Sequence, residues 1–388
     1  MKTIFPNLFY AASALVLTLG ATACNDDNGG DSSLPESEES LKAAVEEYVD
    51  NTVVPTYRDL ADASIELTKA CEQMLEKWGP AQANAGMTTA DITAAGQQWK
   101  DSRLYWELSE AWLFGAAEDY HIDPHIDTWP LDATSLQRIL DTPSIMTSIE
   151  QNPGLAGTMF GEGILGFHSL EYMLFENGQA RSLDKYTRAQ LVFMVAIATD
   201  LRNQCIILEA SWGGVDAISG EKAEIIEEEE LLVSFDYGRS MKNAGQVGSR
   251  YSSYASAADE IMQGAMDIAD EVGGQKIGRP ALFGEYSYVE SPYSWNSQVD
   301  FADNIRSVQH AYQGMEEGRP SISDYVKKVN PELDTRCRNA IATAIAKIES
   351  APAPFVNKYQ DDAWDAASEY CSKDLMDALS AVQSLLTK

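Results

Sequence analysis

The chain has 388 residues, with 60 acidic against 28 basic side chains, a formal net charge of -32 and a hydrophobic fraction of 45%. A surplus of that sign excludes nucleic acid as a partner, since phosphate recognition needs a basic footprint, and it disfavours polyanionic ligands while drawing cations to the surface. Most of the acid reads as a solvated face that keeps the protein soluble, the run Glu227 to Glu230 included.

The chain opens with Lys2, an apolar run from Ala11 to Leu19 and then Ala21-Thr22-Ala23-Cys24. An apolar stretch that short is a secretory signal and not a permanent span. Small residues directly before a cysteine predict a lipoprotein cleavage site, with residues 1–23 removed and Cys24 acylated as the first mature residue. The competing reading is an ordinary signal with an incidental cysteine. Residues 24–36 are polar and glycine-containing, cannot bury a core, and read as a flexible acidic tether. The expected location is the cell envelope, as an outer-membrane lipoprotein facing the periplasm or the cell surface.

Roughly 350 residues remain, comfortable for two domains. Helical periodicity dominates them. A first helix spans about 37–78, divided or kinked by Pro55 and stopped by Gly79-Pro80. A second runs from about Thr89 through Phe114, followed by a loop from His121 to Asp132. Asp132 or Thr134 caps a helix to about Gln151, and further helices cover about 155–175 and 187–212, with a turn at Asn177-Gly178 between them. Gly213-Gly214 to Gly220 marks a boundary between an N-terminal bundle, 37–215, and a C-terminal bundle, 216–388. The second half carries helices near 221–254 and 255–272, an irregular stretch from Gly273 to Asn296, then helices near 298–315, 321–350 and 355–387. No run reads as a sheet, and no segment after the signal reads as a membrane span. The fold class is all-α, two four-helix-bundle-like domains packed together.

Four cysteines follow Cys24, and an oxidising compartment allows them to pair. Cys71 with Cys205 and Cys337 with Cys371 keeps each bridge inside one domain and is the preferred pairing; four free buried thiols is the alternative. Their spacing matches no metal-binding pattern.

Three constellations could carry chemistry. His168 and Glu171 sit at i and i+3 and project together from one helix face, as a metal-ligand pair, a proton-handling pair or a plain buried hydrogen bond. Gly161, Gly163 and Gly166 would strip one side of that helix and let a ligand or backbone approach. Arg103, Glu107 and Glu110 share a face at i, i+4 and i+7, either an ordinary salt-bridged surface or, turned inward, two carboxylates and a guanidinium lining a site. The loop carrying His121, Asp123, His125, Asp127 and Trp129-Pro130 could offer ligands or be packed punctuation.

Taken in order, Arg103, Trp106, Glu107, Glu110 and Phe114-Gly115, then Ile122-Asp123-Pro124 and Trp129 to Asp132, then Gly166, His168 and Glu171, resemble the imelysin family of insulin-cleaving-peptidase-like and iron-regulated proteins. Glu290 to Ser297 with Asp300 and Asn304 resembles that family's second-half pattern, so the likeness spans roughly residues 38 to 387. It implies two pseudo-symmetric helical bundles around a central cleft, lined by the Gly-x-His-x-x-Glu helix and the Arg/Glu helix. It also implies a periplasmic or cell-surface role in iron uptake, with a metallopeptidase label for some members. His310-Ala311-Tyr312-Gln313-Gly314 only approximates the family's Tyr-x-Gly ending, which puts the second half's contribution to the site in question.

The chain has no His-Glu-x-x-His zinc-peptidase signature, its one His-x-x-Glu reverses the di-iron order, and no Ser/His/Asp or Cys/His nucleophile pattern is present. One histidine among carboxylates suits a hard cation, iron(III) among them, better than a soft one. The expected function is a lipid-anchored binding protein for iron or an iron-containing ligand in metal uptake. Its metal ligands would be His168 and Glu171, with Arg103, Glu107, Glu110, Asp123 and Trp129 contacting the ligand and Arg103 free to clamp an anionic chelate. Iron is the favoured ion, ahead of zinc or calcium. The expected partners are the membrane, through the anchor, and outer-membrane transport components. The alternatives are a metal-dependent peptidase and a surface module for a peptide or glycan.

Overall fold

The computed structural model describes residues 36–79 and 86–387, so the signal, Cys24 and nearly all of the tether lie outside it. Helix α1 (Glu36–Tyr48) passes through a widened turn, Val49–Val53, into α2 (Val54–Trp78). Pro55 stands just after that widened turn, and the helix runs through it instead of dividing there. Gly79, at φ +74°, ends the helix. Thr88 and Asp91 form a capping box that starts α3 (Thr89–Glu107). That helix stops well before Phe114, and Glu110 lies on a separate tight turn, Glu110–Trp112.

The loop after it is less irregular than its sequence suggests, because Ile122–Asp127 forms a short helix, α4, around Pro124. The predicted helix over 155–175 is broken. It forms one turn at Ala156–Met159, Phe160 to Leu165 interrupts it, and only α5 (Gly166–Leu174) is a sustained helix. Gly161 and Gly163 precede α5 and share no helix face with His168. Gly166 instead opens the helix at φ +67°, where a Cβ would stand 1.8 Å from the Ile126 carbonyl oxygen. The glycine is there for backbone contact between α4 and α5. Asn177 and Gly178, both at positive φ, turn a two-residue hairpin, Phe175–Glu176 against Gln179–Ala180.

Helix α6 (Arg188–Gly213), started by a Thr187/Gln190 capping box, is long and apolar enough to cross a membrane, at a mean hydropathy of 1.6, contrary to the expectation that no such segment follows the signal. Within the fold, 83% of its apolar window is buried, and it packs against α2 and α5 as a core helix. The predicted helix over 221–254 is also divided, into Glu221–Glu228 and Tyr237–Lys242, with Asp236 capping the second piece.

Helix α7 (Tyr254–Glu271) continues through a widened turn, Val272–Ile277, into Gly278–Phe283, where a wholly irregular stretch was expected. Gly273 permits a close crossing there, since a Cβ on it would meet Ser372 at 2.2 Å. Next come α8 (Ser297–Gln313), a short helix Ile322–Val329, and α9 (Pro331–Ser350), the last two separated at Asn330-Pro331. The C-terminal stretch is segmented as well, ending in α10 (Met376–Leu386).

The fold is all-α apart from the hairpin. One bundle is built on α2, α3, α5 and α6, the other on α7, α8, α9 and α10, and α3 packs on α8 between them. Residues 35–388 form one compact unit. The preferred disulfides are not present: Cys71, Cys205, Cys337 and Cys371 are free and buried. Burial pushes each thiol up to about 12, which leaves them unreactive as thiolates.

Candidate functional site

Arg103 is the hub. It is fully buried on α3, and its guanidinium lies over the Phe167 ring. Its nitrogens reach Glu107 and Glu290, each at 2.5 Å, make a close pair with Asp127, and stand 3.9 Å from Asp300. The α3 face therefore turns inward, and Arg103, Glu107 and Glu110 are all buried. Asp127 sits at the last position of α4, where Trp106 also donates its indole N–H to it at 2.8 Å. The Gly166–Ile126 contact sets α4 against the start of α5 and so brings Asp127 to His168.

His168 is 1% exposed. Its Nε2 stands 3.1 Å from Asp127 and its Nδ1 3.6 Å from Glu171, yet neither nitrogen has an aligned hydrogen bond among the described residues. The Trp129 ring packs on the imidazole at 4.7 Å. Glu171 uses Oε1 to accept from the Tyr293 and Ser294 backbone N–H groups and the Ser294 hydroxyl, at 2.7–3.0 Å, while its Oε2 faces His168 without a hydrogen-bond donor. The second half thus supplies essential parts of the site. Glu290 pairs with Arg103, Asp300 accepts from Ser291 and Asn296, and Asn304 donates to Glu107. His310, in the segment that only approximates the family ending, is not among these contacts.

Lys276 completes the cluster from the widened turn after α7. Its Nζ lies 3.4 Å from Glu290, 3.7 Å from Glu110 and 3.8 Å from Glu107. With Glu110, Asp123, Asp127, Trp129 and Glu290 it lines a cleft of about 260 Å³. Glu110, Asp123 and Glu271 also border an adjoining outer cavity of about 500 Å³, whose wall adds Glu118, Glu260 and Asp267. His121 borders the outer cavity and pairs with Glu162 at 3.0 Å, while His125 lies away from both and holds α4 to α6 through Asp200 at 2.9 Å.

The charges around this cleft do not balance. Burial pushes Glu107 and Glu110 well above the usual carboxylate range, a shift that Arg103 and Lys276 oppose at Glu107 and Lys276 at Glu110. Burial also carries Asp123 and Asp300 up to about 7. Asp127 goes the other way: burial opposes its ionisation, but Arg103 and His168 hold it well below the usual range. For His168 burial works against the proton, and the Asp127 and Glu171 carboxylates facing its two nitrogens overcome it, raising the ring to about 9. Glu107, Glu110, Asp123, Asp127, Glu171, Glu271, Glu290 and Asp300 surround only Arg103, Lys276 and the imidazole as cations. Such a cluster has room for further positive charge, whether protons or a metal ion.

The donor set fits a metal. Ligand atoms of Asp127, His168 and Glu290 lie within 4.8 Å of one another, as do those of Glu107, Glu110 and Asp127. One imidazole nitrogen among carboxylate oxygens is a set for a hard or borderline cation. Two of these residues were not singled out by spacing: Asp127 reads only as one member of a polar loop, and Lys276 falls in a stretch without periodicity.

Comparison with known proteins agrees with this architecture. The chain is 27% identical over 314 residues to the iron-regulated protein A of Synechococcus elongatus, covering 80% of this chain and 76% of that protein. A crystal structure described as an iron-regulated protein A precursor from Parabacteroides distasonis superposes with a TM-score of 0.76 at 26% identity, covering 91% of this chain and 96% of that one. An imelysin-like protein from Psychrobacter arcticum shares the fold at a TM-score of 0.53 and 16% identity, covering 90% and 93% of the two chains. The imelysin family model matches residues 53–385, and the chain belongs to the imelysin family.

Proposed function

We propose that this protein is an envelope-anchored binding protein that takes up a metal ion, iron or an iron-containing ligand, in the cleft between its two bundles. The observation that carries the reading is His168: a buried imidazole with no aligned hydrogen bond at either nitrogen, 3.1 Å from Asp127, packed behind Trp129 at the wall of a cleft with more carboxylates than cations. A structural histidine would use its buried nitrogens in hydrogen bonds, because leaving them unmade is costly. Asp127, His168 and Glu290 would hold the ion, which supplies the missing positive charge when bound. Glu171 aims the imidazole, Trp129 covers its face, and Arg103 holds Asp127 and Glu290 in place. Two relatives are described as iron-regulated proteins, which favours iron over zinc or calcium.

The anchor is Cys24, held in the membrane by its acyl chains and joined to the folded body by the acidic tether, with outer-membrane transport components as the partners that deliver or receive the ligand. A peptidase needs a base free to take a proton from a metal-bound water. Glu171 has one oxygen committed to three donors and the other facing His168, so it is poorly placed for that work.

Calorimetric titration of the purified full-length protein in mild detergent with iron(II) under anaerobic conditions and with iron(III) citrate, alongside zinc and calcium, tests the reading. Iron binding in the native protein that drops at least tenfold in His168→Ala and Glu290→Gln is the expected result. No heat from any metal, with His168→Ala melting like the native protein, would remove it.

A further inference from the structure

Lys276 is the least expected member of the cluster. A lysine that is 8% exposed ordinarily makes one tight pair, but its Nζ keeps a nearly even range of 3.4–3.8 Å from Glu290, Glu110 and Glu107. The backbone that presents it is the widened turn Val272–Ile277, a geometry common at functional sites. The ammonium enters the region bounded by the Glu107–Glu110–Asp127 ligand group, and Asp127 is also a member of the group containing His168. One carboxylate common to two ligand groups is the arrangement that bridges paired metal ions.

We infer that Lys276 is a tethered cation occupying a second cation position of the cleft, so that the protein holds one exchangeable metal ion beside one built-in charge. This rests on the reading of His168 as the first position. Such a device fixes the stoichiometry, gives Glu110 its cation when the cleft is empty, and adds to the pairing that Arg103 provides at Glu107 and Glu290. It also reserves the imidazole-bearing position, with its single nitrogen donor, for the incoming ion. The second position, stripped of the ammonium, is all oxygen and would take a hard divalent cation.

Manganese(II) is the probe, with stoichiometry read by calorimetry and by native mass spectrometry of the full-length protein, and melting followed with and without the metal. The native protein is expected to take one ion per chain, Lys276→Ala and Lys276→Gln two, and Lys276→Arg one. A variant that folds only in the presence of manganese and then carries two ions supports the inference equally. Folded Ala and Gln variants that still bind one ion overturn it, as does a native protein that binds two. A variant that stays unfolded in excess manganese also overturns it, because the position then accepts no replacement cation. A native protein that binds none sinks the first-site reading instead.

Discussion

His168 carries a proton in the metal-free fold, and the sign of the consequence is fixed by its shift. Its value rises from 6.5 unfolded to about 9 folded, so the stability it contributes is fully present below 6.5 and is lost as pH rises through 9. Asp123 and Asp300, lifted from 3.8 to about 7, also bind protons more tightly in the fold and act with the same sign, their contribution fading as pH rises through 7. Asp127 has the opposite sign, but its window lies at the acid end, where its stabilisation is lost as pH falls below 3.8. The melting temperature of the metal-free protein should therefore fall between pH 6.5 and 9, while the increase produced by added metal grows over the same interval as the ion replaces those protons. Scanning fluorimetry across that range checks both slopes, and a flat metal-free profile would contradict them. The pairing of His168 with Glu171 was legible from an i, i+3 spacing. Arg103, Glu107 and Glu110 were legible as a face, though not in which direction it turned. Lys276 was not legible, because a single lysine outside any periodic pattern carries no signal until the fold surrounds it with acids.

At the scale of elements, the long helices were readable wherever apolar residues recur without interruption, as in α2, α6, α7 and α8. Shorter breaks were not. Asn330-Pro331 was a turn signal inside the span taken as one helix, 321–350, overruled in the reading by flanking periodicity. The widened turns at Val49–Val53 and Val272–Ile277 leave no mark in periodicity, since each adds only a slight overhang to an otherwise continuous helix. Gly166 shows what this costs an argument: the residue matters for a positive φ and a backbone contact, and not for a bare helix side. Gly166→Ala should lose about 1–3 kcal/mol from backbone strain alone. It should lose metal affinity as well, because a Cβ must push Ile126, and with it Asp127, away from His168. Urea unfolding beside metal titration measures the two losses. An alanine variant with unchanged affinity would show that α4 does not depend on that contact.

For the molecule as a whole, a net charge of -32 and a cleft rimmed by Glu118, Glu260, Asp267 and Glu271 focus negative potential at the entrance. Capture of a cation should be fast at low ionic strength and slow by about tenfold or more as salt screens that field. Stopped-flow association rates at several salt concentrations test this, and a rate independent of salt would mean the outer acids serve solubility alone. The all-α class was legible from helical periodicity. The dependence of each half of the chain on the other was not, since no spacing in a sequence reports a hydrogen bond across 122 or 197 positions.

That dependence has a consequence for how the protein can come into being. Ser294 and Tyr293 satisfy Glu171, Asn304 satisfies Glu107, and Ser307 takes the backbone N–H of Ala111, each donor or acceptor lying across the chain from its partner. During synthesis the leading half emerges first and must wait, its interior acids unmatched, until the trailing half arrives. The newborn chain is thus most vulnerable to proteases in that interval, and a prematurely ended translation product would leave behind debris, not a working half.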